Sequence, residues 1–507
     1  MKAPYHCLYN HELLILGTSQ TPYCSYREPV SDAQAIGYVQ ELKGTGVDAL
    51  MICPQAWMTN LWVSEVDRRW QDEAPLQLDP MPDSDRRYFD KAYHRIKHYM
   101  LGGADPVGLS VRTARESGIS PFFSYRMNEA HYTRSEECPT HSMFWRNHPE
   151  YRVEGRLNLD YLEPEVREYF QALIFELLDR YDVDGFECDF MRHPSYFRTD
   201  RIAEGTAVMT EFVRSIRAKL DEIGRRRGRK MWLSVRVPRS PDDAKSIGLD
   251  VPAWIEQGLV DMIVASSFFQ LTTEIDIEGY RAMAPDSSLF GEMHFNAGSS
   301  VGPAGYRNNI TRKTPPSLYR SAALAFLERG ADGVSLFNFA YVRDHSFNEP
   351  RRKIFPGIEP PFSVIPSLKY PEELASGSQH IVFMPGSIPL RDDFCEDFSL
   401  YFPGDFDRPF SSVIIRLEAS DTITHIPGIS VRLNGALLGE IPVQGELFPP
   451  LSVEGLPDFL KVRHFAAEAA ALRHGANIVT LEIAAPGYNW GHWGGLTLTR
   501  LEAALYR

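Results

Sequence analysis

One junction occurs four times along this chain, each time where a helical pattern hands over to an apolar run: Gly46-Val-Asp-Ala49, Tyr181-Asp-Val-Asp-Gly185, Gly258-Leu-Val-Asp261 and Gly330-Ala-Asp-Gly333. Glycine suits the left-handed residue that ends a helix, and an unbroken apolar run is the pattern of a parallel strand buried on both faces. A chain that repeats this step is built from βαβ units. Eight apolar runs followed by polar residues are present: Tyr5–Asn10, Val47–Cys53, Ile119–Tyr125, Val183–Phe190, Met231–Val237, Val260–Phe268, Ser288–Phe295 and Gly333–Phe339. Eight such units predict an α/β fold, a (β/α)8 TIM barrel, over residues 1–370.

Helical patterns separate most of these runs. After Pro164, a favourable first-turn residue, Val166, Tyr169, Phe170, Leu173, Ile174, Leu177 and Leu178 form one apolar stripe at i, i+3, i+4 spacing. A second helix is expected from about Ala203 to Arg225, with its run of arginines at the end the helix dipole favours. Proline-rich sequence from Pro356 to Pro371, including the pair Pro360-Pro361, reads as a linker. From about Gln379 onward the pattern changes to short alternating runs, Ser411–Leu417, Ile429–Leu433, Ile478–Ile483 and Leu496–Leu505, which predict a C-terminal β-sandwich over residues 371–507.

The 507 residues carry 53 Lys plus Arg against 67 Asp plus Glu, a formal charge of −14. That balance argues against nucleic acid or an anionic membrane as general partners, so an anionic ligand must be met by locally gathered arginines. Cys7, Cys24, Cys53, Cys138, Cys188 and Cys395 are scattered without CxxC pairs, which disfavours a zinc site or a disulfide framework. The sequence opens without a basic segment followed by an apolar run, and no stretch approaches the roughly 20 apolar residues of a membrane helix. The expectation is a soluble cytoplasmic protein, or a secreted one if a leader has been removed, able to form a homodimer. In the C-terminal region the stretch Gly487-Tyr-Asn-Trp-Gly-His-Trp-Gly494 has the content of a sugar-binding loop or of an interface plug around Trp490 and Trp493.

In the fourth run, Glu187 and Asp189 are two residues apart and share a face, while Phe186, Cys188 and Phe190 share the other. Two carboxylates on an apolar strand are costly unless that face lines something polar. The interior of a barrel meets that need, and its C-terminal mouth is where such barrels place their chemistry. Residues ending the eight strands are therefore the candidates: Asn10, His11 and Glu12; Gln55, Trp57 and Asn60; Arg126, Asn128, Glu129 and His131; Asp189, Arg192 and His193; Arg236; Ser266 and Gln270; Glu292, His294 and Asn296; Asn338 and Tyr341.

Arg126, Arg192 and Arg236 come from consecutive strands. They suit two-pronged recognition of a carboxylate, sulfate or phosphate, or else three separate salt bridges to Glu129, Glu187 and Asp189. His131, Asp189, Glu292 and His294 are the residues to weigh for a metal, but they lack HxH or HExxH spacing and lie among arginines; no metal or other cofactor is expected. GxSxG and phosphate-gripping glycine loops are absent. Carboxylates, a histidine, arginines and the aromatic residues Trp57, Trp62, Tyr125 and Tyr341 are a kit for sugar handling. Glycosidic cleavage needs an acid on the leaving oxygen and a base or a nucleophile. His131 suits the acid if neighbouring carboxylates raise its pKa.

The segments Ser-Tyr-Arg-Met-Asn-Glu-Ala-His131 and Val183-Asp-Gly-Phe-Glu-Cys-Asp-Phe-Met-Arg-His-Pro194 resemble those of glycoside-hydrolase-like bacterial barrels that carry RMNxxH after strand three and DGxExDFMRHP at strand four. Among characterised proteins, residues 1–370 or so resemble the inverting exo-sialidases of glycoside hydrolase family 156. The resemblance implies single displacement without metal, with His131 as acid and Arg126 as an active-site arginine. The family's base is an Asp at the end of strand one. This chain reads Tyr9-Asn-His-Glu12 there, leaving Glu12 or Asp189 for the role. The expected activity is that of an inverting exo-glycosidase on terminal sialic acid or a similar carboxylated sugar, with Arg126, Asn128, Arg192, Arg236, Asn338, Gln55, Trp57 and Tyr341 binding substrate. The alternatives are a hydrolase of uronic-acid or sulfated glycans and a noncatalytic glycan-binding protein.

Overall fold

The computed structural model describes residues 2–24, 28–68, 94–131, 141–154, 156–267, 270–300, 310–343, 359–384, 388–445, 447–448, 461–488 and 496–507. Eight parallel strands close a barrel: β1 (Cys7–Glu12), β2 (Ala49–Cys53), β3 (Ser120–Arg126), β4 (Gly185–Asp189), β5 (Trp232–Pro238), β6 (Met262–Ser266), β7 (Ser288–His294) and β8 (Gly333–Phe337), each beside its neighbour in sequence, with β8 against β1. All eight expected strands are present. β1 ends two residues later than the apolar pattern suggested, because it continues through His11 and Glu12 against Ile52 and Cys53.

A helix lies between each successive pair of strands: Asp32–Gln40, Pro106–Glu116, Pro164–Arg180, Ile202–Arg227, Val251–Glu256, Ile277–Met283 and Pro316–Glu328. The Pro164 helix buries Val166, Phe170, Leu173, Ile174, Leu177 and Leu178, the expected stripe apart from Tyr169. Arginines at the end of the Ile202 helix are structural: Arg227 donates to the carbonyls of Leu178 and Tyr181, and Arg226 pairs with Asp179. Gly258 and Gly330 take the left-handed conformation just past a helix end, and Gly46 takes a positive φ in the turn that follows the Asp32 helix. Gly185 does not; it lies inside β4, where a Cβ would strike the Phe122 ring and the Trp232 carbonyl, so its constraint is close packing.

The barrel interior is layered. Its lower part is an apolar plug of Leu8, Ala49, Met51, Phe122, Trp232, Met262, Val264 and Phe290, joined by Ala3 and Tyr5. Strand register then fixes what lies above. Ser124, Glu187 and Ser234 are partners across β3, β4 and β5, and Arg126, Asp189 and Arg236 are partners one inward position higher. Apolar packing at the bottom thus carries a polar top to the C-terminal mouth.

The chain divides into two compact units, one of residues 1–268, 276–292 and 331–347, the other of 269–275, 293–330 and 348–507. The second unit contains the Pro316 helix and two antiparallel sheets. One sheet includes Gln379–Phe383, Thr497–Tyr506, Ser412–Ala419 and Val462–Ala467; the other includes Phe394–Phe402, Gly475–Ile483 and Ile429–Leu433. Alternate residues such as Val413, Ile415, Leu417, Leu501 and Ala503 meet Phe398, Leu400, Val479 and Leu481 in one core, as in a sandwich. On the other face of the first sheet, Arg500, His380 and Arg416 converge on buried Glu502, whose pKa these partners hold well below the ordinary range against its burial. The described cysteines are free, and among the described residues no helix is long and apolar enough to cross a membrane. Cys138 and residues 489–494 of the Gly487–Gly494 stretch, with Trp490 and Trp493, lie outside the described residues.

Candidate active site

The polar top of the barrel resolves into two networks and one isolated carboxylate. The first network begins at Glu12, at the end of β1. Its Oε1 pairs with Arg126 Nη2 at 2.7 Å, and its Oε2 accepts the Tyr341 hydroxyl. Arg126, at the end of β3, donates its Nη1 to Glu129 at 3.2 Å. Glu129 Oε1 in turn accepts the backbone amides of Ala130 and His131, and both His131 Nδ1 and His193 Nδ1 lie against it, the latter at 3.1 Å. Arg192 closes the group, with Nη2 2.7 Å from His131 Nε2 and Nε 3.9 Å from Glu129.

Glu129 is thus a hub, held well below the usual carboxylate range by His131, His193 and Arg126 against the cost of burial. From sequence it is a strand-end residue and a salt-bridge partner for an arginine. Its signal was position alone, three residues past Arg126 and two before His131. Arg126 and Arg192 come together here, whereas Arg236 does not join them.

In the second network Arg236 bridges Asp189, at 2.7 Å, and Glu292, where its Nη2 reaches Oε1 at 2.9 Å; Ser266 Oγ also donates to Glu292 at 2.6 Å. Asp189 accepts the Met191 amide as well, at 2.9 Å. The Arg236 guanidinium lies 3.7 Å from the centre of the Phe337 ring. Of the three salt bridges weighed from sequence, Arg236 to Asp189 and Arg126 to Glu129 are present.

Glu187 instead takes two serine hydroxyls, Ser124 at 2.7 Å and Ser234 at 2.9 Å. Burial, followed by the nearby Asp189 charge, pushes its pKa from 4.5 up to about 7. A carboxyl whose folded pKa is raised penalises the fold as pH climbs past its unfolded value, and the penalty is complete above the folded value. Glu187→Gln is therefore expected to stabilise the protein at pH 8 by roughly 1–3 kcal/mol, and hardly at all near pH 4.5. Urea unfolding at the two pH values measures this, and an equal effect at both would refute it.

Other expected substrate contacts are committed elsewhere. The Asn128 amide donates to the Leu159 and Ser195 carbonyls, at 2.9 and 2.8 Å, tying two loops together. Gln55 accepts the Arg126 amide at 2.7 Å. Both side chains hold the rim in shape. Trp57 and Asn338 are buried and, with His193, adopt positive φ values of 58°, 52° and 48°. Strained backbone at three strand ends is a cost that surrounding structure must overcome, and such residues cluster at functional sites.

His131 departs from its expected titration. Its pKa is lowered from 6.5 to about 4, because burial together with Arg192 and His193 outweighs Glu129. The rise expected from a neighbouring carboxylate is outweighed first by burial, to which the arginine on the other ring nitrogen adds.

Glu129, His131 and His193 also form a two-histidine, one-carboxylate set whose ligand atoms lie within 4.8 Å of one another. The set weighed from sequence is different, and its Asp189 and Glu292 share a guanidinium. An arginine can only donate, so His131 Nε2 accepts from Arg192 and the proton of the neutral ring sits on Nδ1, facing Glu129. That arrangement is a hydrogen-bond hub, with both Nδ1 atoms against the Glu129 carboxylate.

No family model matches the sequence, and no curated protein matches it. Among solved structures, the chain is similar to the chitinase ChiW of Paenibacillus sp. FPU-7 (10% identity, 95% of this chain, TM-score 0.41), of which it spans 52%. It is also similar to the PgaB (BpsB) glycoside hydrolase domain of Bordetella bronchiseptica (9% identity, 70% of this chain and 99% of that one, TM-score 0.41). A third similar structure is a putative α-L-fucosidase of Bacteroides thetaiotaomicron (10% identity, 99% and 95%, TM-score 0.36). These neighbours are glycoside hydrolases, and at such identities and TM-scores no residue of this chain inherits a role from them.

Proposed function

We propose that this chain is an inverting exo-glycosidase of carboxylated sugars, with terminal sialosides as the first substrates to try. The observation that carries the reading is the first network: a carboxylate, Glu12, and a histidine, His131, joined through Arg126 and Glu129, with a second arginine at the histidine. Two guanidinium groups beside an acid–base pair suit a substrate that brings its own negative charge. Glu12 takes the role of base, removing a proton from the attacking water while Tyr341 and Arg126 orient its carboxylate. Asp189 is the weaker candidate, because Arg236 and the Met191 amide bind it within the other network. His131 protonates the leaving oxygen, and Glu129 is a positioning residue that holds its Nδ1.

A second reading, a noncatalytic glycan-binding protein, is favoured by one feature: both Glu12 oxygens are already engaged. A panel of fluorogenic sialosides, glucuronides and sulfated glycosides tests the readings together. Release from sialosides, with proton NMR showing the inverted anomer first, is the expected result. Turnover of glucuronides or sulfated sugars alone would move the substrate class, a retained anomer would remove the mechanism, and binding without turnover would establish the second reading.

A further inference from the structure

His131 has one nitrogen available for catalysis. Nδ1 faces the buried Glu129 carboxylate, so a proton delivered to a leaving oxygen must come from Nε2. In this structure Nε2 is taken by Arg192, at 2.7 Å. Placing a proton on Nε2 would set two N–H donors against each other at that distance, so His131 cannot act as an acid until Arg192 leaves.

The two side chains are 23% and 11% exposed, respectively, within reach of a ligand in the mouth. The groups facing His131 are Glu129, beyond the end of β3, which Arg126 also pairs with, and Arg192 and His193 from beyond the end of β4; His141 approaches its carbonyl.

We propose that Arg192 is a specificity gate: it occupies the acid nitrogen of His131 until a ligand carboxylate draws the guanidinium away, so the sugar's negative charge is needed for leaving-group protonation and not only for binding. This inference rests on the glycosidase reading above. The exchange is balanced. The ligand carboxylate replaces His131 as the acceptor for Arg192, and Nε2 takes a proton from solvent, giving an imidazolium held by Glu129. Nε2 then gives that proton to the leaving oxygen as the glycosidic bond breaks and water attacks the anomeric carbon, the water's proton passing to Glu12 and from there back to solvent. After product leaves, the bare Nε2 accepts from Arg192 again. The lowered pKa of His131 in the free protein, to which Arg192 contributes, agrees with this order.

The test is a side-chain 1H–15N NMR titration of His131 in the full chain, with calorimetry alongside. The free protein should show the proton on Nδ1. Saturating N-acetylneuraminic acid should raise the His131 pKa by at least one unit, a tenfold gain in proton affinity, while its methyl ester should not. Arg192→Met should raise the pKa without any ligand. Calorimetric binding of the acid with an unchanged His131 overturns the gate and leaves the glycosidase reading standing. Failure to bind the acid, with no turnover of sialosides, overturns both. The ligand titration needs no variant, so a misfolded Arg192→Met protein does not rescue the idea.

Discussion

Glu12→Gln is expected to lower kcat by about 10²- to 10⁴-fold, the range a positioned acid or base contributes, with KM changed far less. An amide can still occupy the place between Arg126 and Tyr341, but it cannot accept a proton from water. The loss should be similar for activated aryl glycosides and for substrates with poor leaving groups, since both need an activated water. His131→Asn should behave differently. It should abolish hydrolysis where the leaving oxygen needs a proton and spare activated aryl glycosides, whose departure needs little help. Steady-state kinetics on the two substrate types separates these patterns. Full activity of either variant on poor leaving groups would end its assigned role, and equal losses at Asp189→Asn with none at Glu12→Gln would transfer the base to β4.

Arg236→Met should be the most damaging single change in the barrel interior. It leaves Asp189 and Glu292 facing each other without the cation that bridges them, all three residues being almost fully buried. Breaking a buried pair by removing one partner costs about 3–5 kcal/mol, because an uncompensated charge remains in a poorly solvated place. Methionine keeps contact with the Phe337 ring, so the cost is electrostatic rather than a cavity. The deficit should shrink as pH falls, because Glu292, whose pKa burial raises, takes up a proton and sheds its unpaired charge. Urea unfolding at pH 8 and pH 5 measures both effects. An unfolding midpoint equal to that of the parent at pH 8 would contradict them.

Much of this molecule was legible in the sequence because parallel barrel strands are buried on both faces and write themselves as apolar runs. The end of β1 was the exception. His11 and Glu12 look like loop residues, yet Glu12 faces the polar top, where a charge has partners. The sandwich strands were legible through alternation, but the ion cluster around Glu502 was not, since His380, Arg416 and Arg500 come from three separate strands.

The same limit applied in the site. Alternation told which residues of one strand face inward, but not which residues of different strands meet there; that depends on the stagger of the closed sheet. Arg236 joining β4 to β7, and Arg192 resting on the nitrogen that His131 would use, are facts of that stagger. A nearby carboxylate raised the expected pKa of His131. The arginine opposite it was in the list, but its place was not.

The Arg236 bridge also constrains how such a mouth changes over generations. Replacing Asp189, Arg236 or Glu292 alone strands a charge, whereas exchanging the set together for apolar residues of similar volume is often neutral or stabilising in other proteins. The harm of each step therefore depends on which steps came before it. A lineage that acquires new chemistry at this rim by single substitutions must cross a valley of poorly folded intermediates, unless stability gained elsewhere carries it across.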